Sequence, residues 1–187
     1  MSPKNKLVFG LVGEMAAGKD TVAAYLKEKY NSETISFSKP WRDILDLLGL
    51  PQTRENMAGL GDVMRAQFGQ DILSRAICQE INRSPSSMVA LPNVRLKEDI
   101  TYLKDLPGFV LVSVNTDRKL CYQRLIKRDQ NPDDKSKTWE QFLKDHELYT
   151  EIHILDLAKH AQYHLDNNGT LEQLHDQIEK MLADLRK

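Results

Sequence analysis

The sequence predicts an α/β fold of three layers, with a five-stranded, mostly parallel sheet and helices on both faces. Three observations carry that expectation. Short apolar runs alternate with helical patterns along all 187 residues, the signature of strands joined by helical crossovers. The run Leu7–Val12 leads through Gly13-Glu14-Met15-Ala16-Ala17-Gly18-Lys19-Asp20-Thr21 into a helical pattern at Val22-Ala23-Ala24-Tyr25-Leu26. That succession is a strand, a glycine-containing loop and a helix. The length suits one domain, residues 1–187, with room for a mobile insertion.

Leu7–Val12 is the first strand. The loop after it has Gly-x4-Gly-Lys spacing, and its two glycines open backbone conformations in which successive N–H groups point inward at an anion. The following helix aims its positive N-terminal end at the same place, and Lys19 can reach β- and γ-phosphates. The loop is therefore expected to hold a nucleotide phosphate through Gly13, Glu14, Ala16, Ala17, Gly18, Lys19, Asp20 and Thr21. The alternative is an ordinary strand-to-helix turn with an exposed lysine. Asp20 stands where Ser or Thr usually follows the lysine, and Thr21 comes one place late.

The second strand is expected at Thr34–Phe37. Thr53 to Arg65 reads as helical, and Arg54 and Arg65, eleven residues apart, can face the same way. Guanidinium forks suit a phosphate acceptor; solvation, or pairing with Glu55 and Asp62, is the other reading. Met88–Leu91 is the third strand and Phe109–Val114 the fourth. Arg95 follows the third at the carboxyl end, where open α/β sheets bind ligands. Asp117 caps a helix with Leu120, Cys121, Leu125 and Ile126 on one side and Arg124 and Arg128 on another. Asp129 to Lys137 is polar, with a central proline, and is expected to be a mobile loop. The fifth strand is expected at Gln162–Leu165. Asn167-Asn168-Gly169 is then a turn, and Thr170-Leu171-Glu172-Gln173 is a capping box whose helix carries the apolar stripe Leu171, Leu174, Ile178 and Leu182.

Composition narrows the partners. A formal net charge of −1 gives no bulk attraction to nucleic acid or membrane, and no apolar run approaches the ~20 residues of a membrane span. Residues 1–6 with the short run behind them do not make a signal peptide, because the phosphate loop falls where cleavage would occur. Cys78 and Cys121 are isolated and read as reduced thiols, which points to the cytoplasm. His160 and His164, four apart, lack a third ligand for a metal. Trp41 and Trp139 read as packing or lid residues.

Taken together, these residues resemble the P-loop kinases of the nucleoside-monophosphate-kinase superfamily over nearly the whole chain. The Gly-Lys-Asp-Thr form of the loop resembles bacteriophage-type deoxynucleoside monophosphate kinases and animal phosphomevalonate kinases, in which Asp after the lysine is usual. Phe37-Ser38-Lys39-Pro40-Trp41-Arg42 resembles that group's segment after the second strand. Thr53-Arg54-Glu55 with Gly61 and Arg65 resembles its acceptor-side pattern, and Asn93-Val94-Arg95 its Asp-Val-Arg, with asparagine for aspartate. Residues 161–171 resemble the closing segment of dephospho-coenzyme A kinases.

The resemblance implies a kinase using ATP and magnesium, with an acceptor-binding region at about 38–83 and a lid at about 129–150. It implies acceptor contacts from Arg42, Arg54, Arg65 and Arg95, and magnesium held by Asp20 and Thr21, partly through water. Lys19, Arg124 and Arg128 would act on the transferring phosphoryl group, and Asn168 and Gly169 would border the adenine. The implied acceptor is a small nucleotide, most simply a (deoxy)nucleoside monophosphate, with no nucleic acid or membrane partner and a monomeric or homodimeric state. Two alternatives stay open. A dephospho-coenzyme A kinase would need a general base after the second strand, where Ser36-Phe37-Ser38 offers no acid. A nucleotide-binding regulatory module with weak hydrolysis is favoured by Asn93.

Overall fold

The computed structural model describes residues 6–127, 135, 137–146 and 149–186, without the side chains of residues 54 and 149–151. Its strands are β1 (Leu7–Val12), β2 (Glu33–Thr34), β3 (Met88–Leu91), β4 (Phe109–Asn115) and β5 (Tyr163–Asp166). They form one sheet in the order β2-β3-β1-β4-β5, parallel at every pairing. The α/β fold expected from the sequence is thus present. The helices are α1 (Lys19–Tyr30), α2 (Lys39–Leu47), α3 (Arg54–Phe68), α4 (Ile72–Arg83), α5 (Arg118–Leu125), α6 (Trp139–Asp145), α7 (Tyr149–Ala158) and α8 (Leu171–Leu185).

Alternation along the strands builds the two cores, because successive side chains of a strand face opposite ways. Val8 and Val12 of β1, Val89 and Leu91 of β3 and Leu111 of β4 join Ile77 and Ile81 of α4 and Ile154 and Leu157 of α7 on one face. Phe9 and Leu11, Met88 and Ala90, and Val110, Val112 and Val114 join Val22 and Leu26 of α1 and Leu174, Ile178 and Leu182 of α8 on the other. Each fully buried side chain of this size contributes about 1.5–3 kcal/mol, so these faces outweigh any surface ion pair. A third, small cluster of Ala17, Cys121, Leu125 and Phe142 packs α5 and α6 beneath the loop after β1.

Three expectations need correction. The second strand is Glu33–Thr34, earlier than Thr34–Phe37. Ile35 still donates its N–H to Ala90 O at 3.0 Å, but Lys39 N–H already bonds Ser36 O at 2.9 Å as the chain turns into α2. Ile35 and Phe37 are buried as core residues, which mimics the alternation of a longer strand. The fifth strand starts one residue late, since Gln162 uses its side-chain Oε1 as well as its N–H on Leu111. Leu171 does not belong to the buried stripe of α8: it is 56% exposed, standing at the first turn where the helix has left the sheet. The capping box behind it forms as expected, with Thr170 Oγ1 accepting from Gln173 N and Gln173 Oε1 from Thr170 N.

One buried cation helps close the sheet. Lys6, 7% exposed, donates from Nζ to Ile81 O at 2.5 Å and Ser84 O at 2.7 Å, satisfying carbonyls at the end of α4 that have no helical partner. Burial holds its amine below the ordinary lysine value, while Glu33 opposes that shift. Among the described residues no helix is long and apolar enough to cross a membrane.

Candidate active site

The loop after β1 lies at the carboxyl end of the central strand, where the chain has neighbours β3 and β4 on its two sides. Such a switch point is where open parallel sheets bind ligands. Gly13 passes so close to β4 that a Cβ there would sit 2.4 Å from Val114 O. Ala16 takes φ 60° and Gly18 φ 103°, so left-handed residues bend the backbone at two places and turn N–H groups inward. Gly18 is also the N-cap of α1, with no side chain capping the first turn. The first N–H groups of the helix are therefore left for an anion. Lys19 Nζ lies in the same cradle, donating to Gly13 O at 2.7 Å and Glu14 O at 2.9 Å.

Beside the loop opens a cleft of about 380 Å³, with Ala16, Gly18, Asp20 and Thr21 on one wall and Arg124, Asn167, Gly169 and Leu171 on the other. The exposed Asp20 carboxylate and Thr21 hydroxyl sit at the cradle and supply the hard oxygen ligands that magnesium takes. The donor set thus fits a nucleotide phosphate chain with magnesium. Arg124 donates from Nη2 to Asn167 O at 3.0 Å, and its buried Nη1 has no hydrogen-bond partner among the described residues.

Asn167 escapes a reading of the sequence. Only 6% exposed, it donates from Nδ2 to Ala17 O at 2.8 Å while its carbonyl anchors Arg124, so it ties loop to cleft wall. Its one visible signal is its place in an Asn-Asn-Gly turn, which reads as solvent chemistry. Asn168, expected beside the adenine, instead spends its side chain on Asp117 N–H and Asp166 Oδ1; Gly169 does line the cleft.

Glu14 holds a second surprise. Arg118, at the first turn of α5, places Nε at 3.0 Å and Nη2 at 2.8 Å from Glu14 Oε1, neutralising a carboxylate that would otherwise repel phosphate. His146, beyond α6, has Nδ1 at 2.8 Å from Phe142 O, which can only accept, so Nδ1 carries a proton. Its buried Nε2 has no hydrogen-bond partner among the described residues and lies 3.9 Å from Glu14 Oε1. Cys121 is no nucleophile: burial pushes its thiol up to about 11, so it stays protonated at neutral pH.

On the β2–β3 side, Arg95 is exposed and its backbone N–H donates to Asp99 Oδ2 at 2.9 Å, joined by Leu96 N–H at 3.0 Å. Burial raises the Asp99 carboxyl above the usual range; those two bonds and the nearby Arg65 act against it. The charge of Arg65 is thus felt by the carboxylate that holds the backbone of the Arg95 loop. Arg42 is engaged locally, with Nε 3.3 Å from Ser38 Oγ and Nη1 2.7 Å from Gln52 Oε1. Ser36 and Ser38 hydrogen-bond each other at 2.9 Å after β2. Arg54 opens α3 with its backbone, but its side chain lies outside the described residues, as does Arg128. The expected lid at 129–150 is described only in part, where it contains α6. His160 and His164 do not share a helix face, since His164 is in β5 and its Nδ1 pairs with Ser113 Oγ at 2.7 Å.

Fold and loop together define a chain with the architecture of the P-loop kinases. The solved shikimate kinase of Bacteroides thetaiotaomicron superimposes with TM-score 0.64 at 18% identity, covering 97% of this chain and 99% of that one. TT1252 from Thermus thermophilus gives TM-score 0.60 at 18% identity over 97% and 98%. In sequence the chain is similar to a UPF0200 protein of Methanothermobacter thermautotrophicus, 25% identical over 182 residues and covering 97% of this chain and 92% of the relative. UPF0200 protein MJ1399 of Methanocaldococcus jannaschii is 24% identical over 181 residues, covering 96% and 90%. No family model matches the chain.

Proposed function

We propose that this protein is an ATP-dependent phosphotransferase that moves the γ-phosphoryl group to a phosphate on a small nucleotide, most simply a (deoxy)nucleoside monophosphate. The observation that carries the reading is the cradle itself: an uncapped helix N-terminus and a loop bent by two left-handed residues around Lys19, beside the cleft walled by Arg124 and Asn167. In the reaction an acceptor phosphate oxygen forms a bond to Pγ as the bond from Pγ to the bridging β,γ-oxygen breaks, and ADP leaves. Such transfers rest on positioning and charge neutralisation rather than covalent chemistry. Loop N–H groups and Lys19 hold the β- and γ-phosphates. Arg124 closes the nucleotide side, while Arg65 and Arg95, with Arg42 and Arg54, face the acceptor and Arg128 meets the transferring group. Magnesium, held by Asp20 and Thr21, would neutralise phosphate charge.

A phosphate acceptor is already ionised and needs no base. That agrees with the paired serines after β2, where a hydroxyl acceptor would call for a carboxylate. The Gly-Lys-Asp form of the loop supports the same acceptor class by resemblance. Lys19→Ala is expected to lower turnover at least about a hundredfold while leaving the unfolding transition in place, since the amine's bonds to the Gly13 and Glu14 carbonyls lie within the loop itself. Acceptor-dependent ADP release near the wild-type rate in that variant would refute the assignment.

A further inference from the structure

Trp41 offers the acceptor side a donor that the reading above leaves unused. Its side chain is 5% exposed and packs in the core face with Phe37, Leu73 and Ile77, so the indole is held rigidly. The ring N–H has no hydrogen-bond partner among the described residues, yet the nitrogen is not sealed from solvent. An indole N–H is a donor only, and a largely buried one normally finds an acceptor. This one opens beside Arg65: a Cβ built on Gly61 would lie 3.4 Å from Trp41 Nε1 and 3.1 Å from Arg65 Nη1. One donor from α2 and one from α3 therefore lie side by side against Gly61, where even a methyl group would crowd them.

We propose that Trp41 Nε1 and Arg65 together form the subsite for an oxyanion of the acceptor, with phosphate as its class. The proposal rests on the phosphotransferase reading for its place in a reaction, but binding itself can be tested alone. Arg65 supplies charge and a planar fork; the indole supplies a neutral donor whose direction is fixed by packing. Competing carboxylates are weak. Asp62 reaches Arg65 Nη1 only at 3.4 Å and is 80% exposed, a pair of little strength that a ligand can displace. Asp99 is committed through Oδ2 to the backbone of Arg95 and Leu96.

The sequence holds two tryptophans, so a 1H–15N spectrum shows two indole signals, and Trp139→Phe assigns them. Titration with inorganic phosphate and then with nucleoside monophosphates is expected to move the Trp41 indole proton saturably downfield, while malonate leaves it in place. Trp41→Phe is expected to weaken acceptor binding about tenfold to a hundredfold, the value of one hydrogen bond to a charged group, with ATP affinity unchanged. Gly61→Ala covers the case in which Trp41→Phe fails to fold. Alanine favours a helix over glycine, which offsets the small shift that Arg65 and Trp41 must make for the methyl group, so this variant should keep thermal stability near wild type yet bind acceptor more weakly. A Trp41 signal unmoved by phosphate and every monophosphate, or moved by malonate alone, overturns the proposal. Phosphate binding without turnover on any acceptor would keep the subsite and remove the transfer reading. Turnover with full acceptor affinity in Gly61→Ala and an unmoved indole would do the reverse.

Discussion

Gly13 and Gly18 shape the phosphate cradle through what they lack. A methyl group at position 13 would collide with the Val114 carbonyl of β4, and one at position 18 would take a left-handed conformation against Asn167 Nδ2 at 2.1 Å. Gly13→Ala therefore has to move backbone rather than a flexible side-chain tip. It is expected to lower stability by about 1–3 kcal/mol and to weaken ATP binding, read from urea unfolding and calorimetric titration. A variant with wild-type stability and affinity would show that the loop does not press on β4. At this scale the loop residues were legible, because glycine spacing beside a strand is a local pattern. Asn167 and Arg118 were not. Their bonds to Ala17 and Glu14 span 150 and 104 positions of chain, and no local pattern marks which asparagine or arginine will make such a contact.

Helices α1 and α8 are joined by a polar staple as well as by their apolar faces. Glu179 accepts from Tyr25 Oη at 2.8 Å and Tyr30 Oη at 2.7 Å, and Lys29 Nζ lies 3.1 Å from it. The Tyr30 hydrogen bond, more than the partly opposing burial, holds the Glu179 carboxyl below the ordinary value of 4.5. A carboxyl depressed by folding stabilises the native state above its unfolded pKa. That contribution is lost as the pH falls through the lower folded value. Glu179→Gln should therefore flatten the acid side of a plot of urea midpoint against pH and cost less than about 1 kcal/mol at neutral pH, because the group is near the surface. An unchanged acid limb would show that the staple adds nothing to pairing of the two helices.

Element positions were readable where pattern and burial coincide. Leu7–Val12 and Met88–Leu91 match strand for strand, and the capping residues Asp117 and Thr170 start their helices as expected. The second strand was misplaced because Ile35 and Phe37 are buried beyond the point where pairing stops. Leu171 was misjudged because helical periodicity locates a face but cannot say where a helix runs past the sheet.

Across the whole molecule, parallel strand order brings three distant stretches to one end of the sheet: the loop after β1, the Asn93–Arg95 turn after β3 and the Asn167–Gly169 turn after β5. Alternating apolar runs made the parallel sheet legible, but the order β2-β3-β1-β4-β5 depends on long-range pairing that the sequence does not display. That order gives the cradle two flanks, one toward α5 and β5 and one toward α2 and α3, which the proposed function assigns to nucleotide and acceptor. The central claim is that a phosphoryl group crosses between them onto a phosphate. Its most direct test is 31P NMR of the purified protein with ATP, magnesium and, in separate samples, a panel of nucleoside and deoxynucleoside monophosphates and dephospho-coenzyme A. A diphosphate signal is expected to grow with at least one monophosphate, in step with ADP and absent with Lys19→Ala. Transfer to dephospho-coenzyme A alone, or ATP bound with no product on any acceptor, would contradict it.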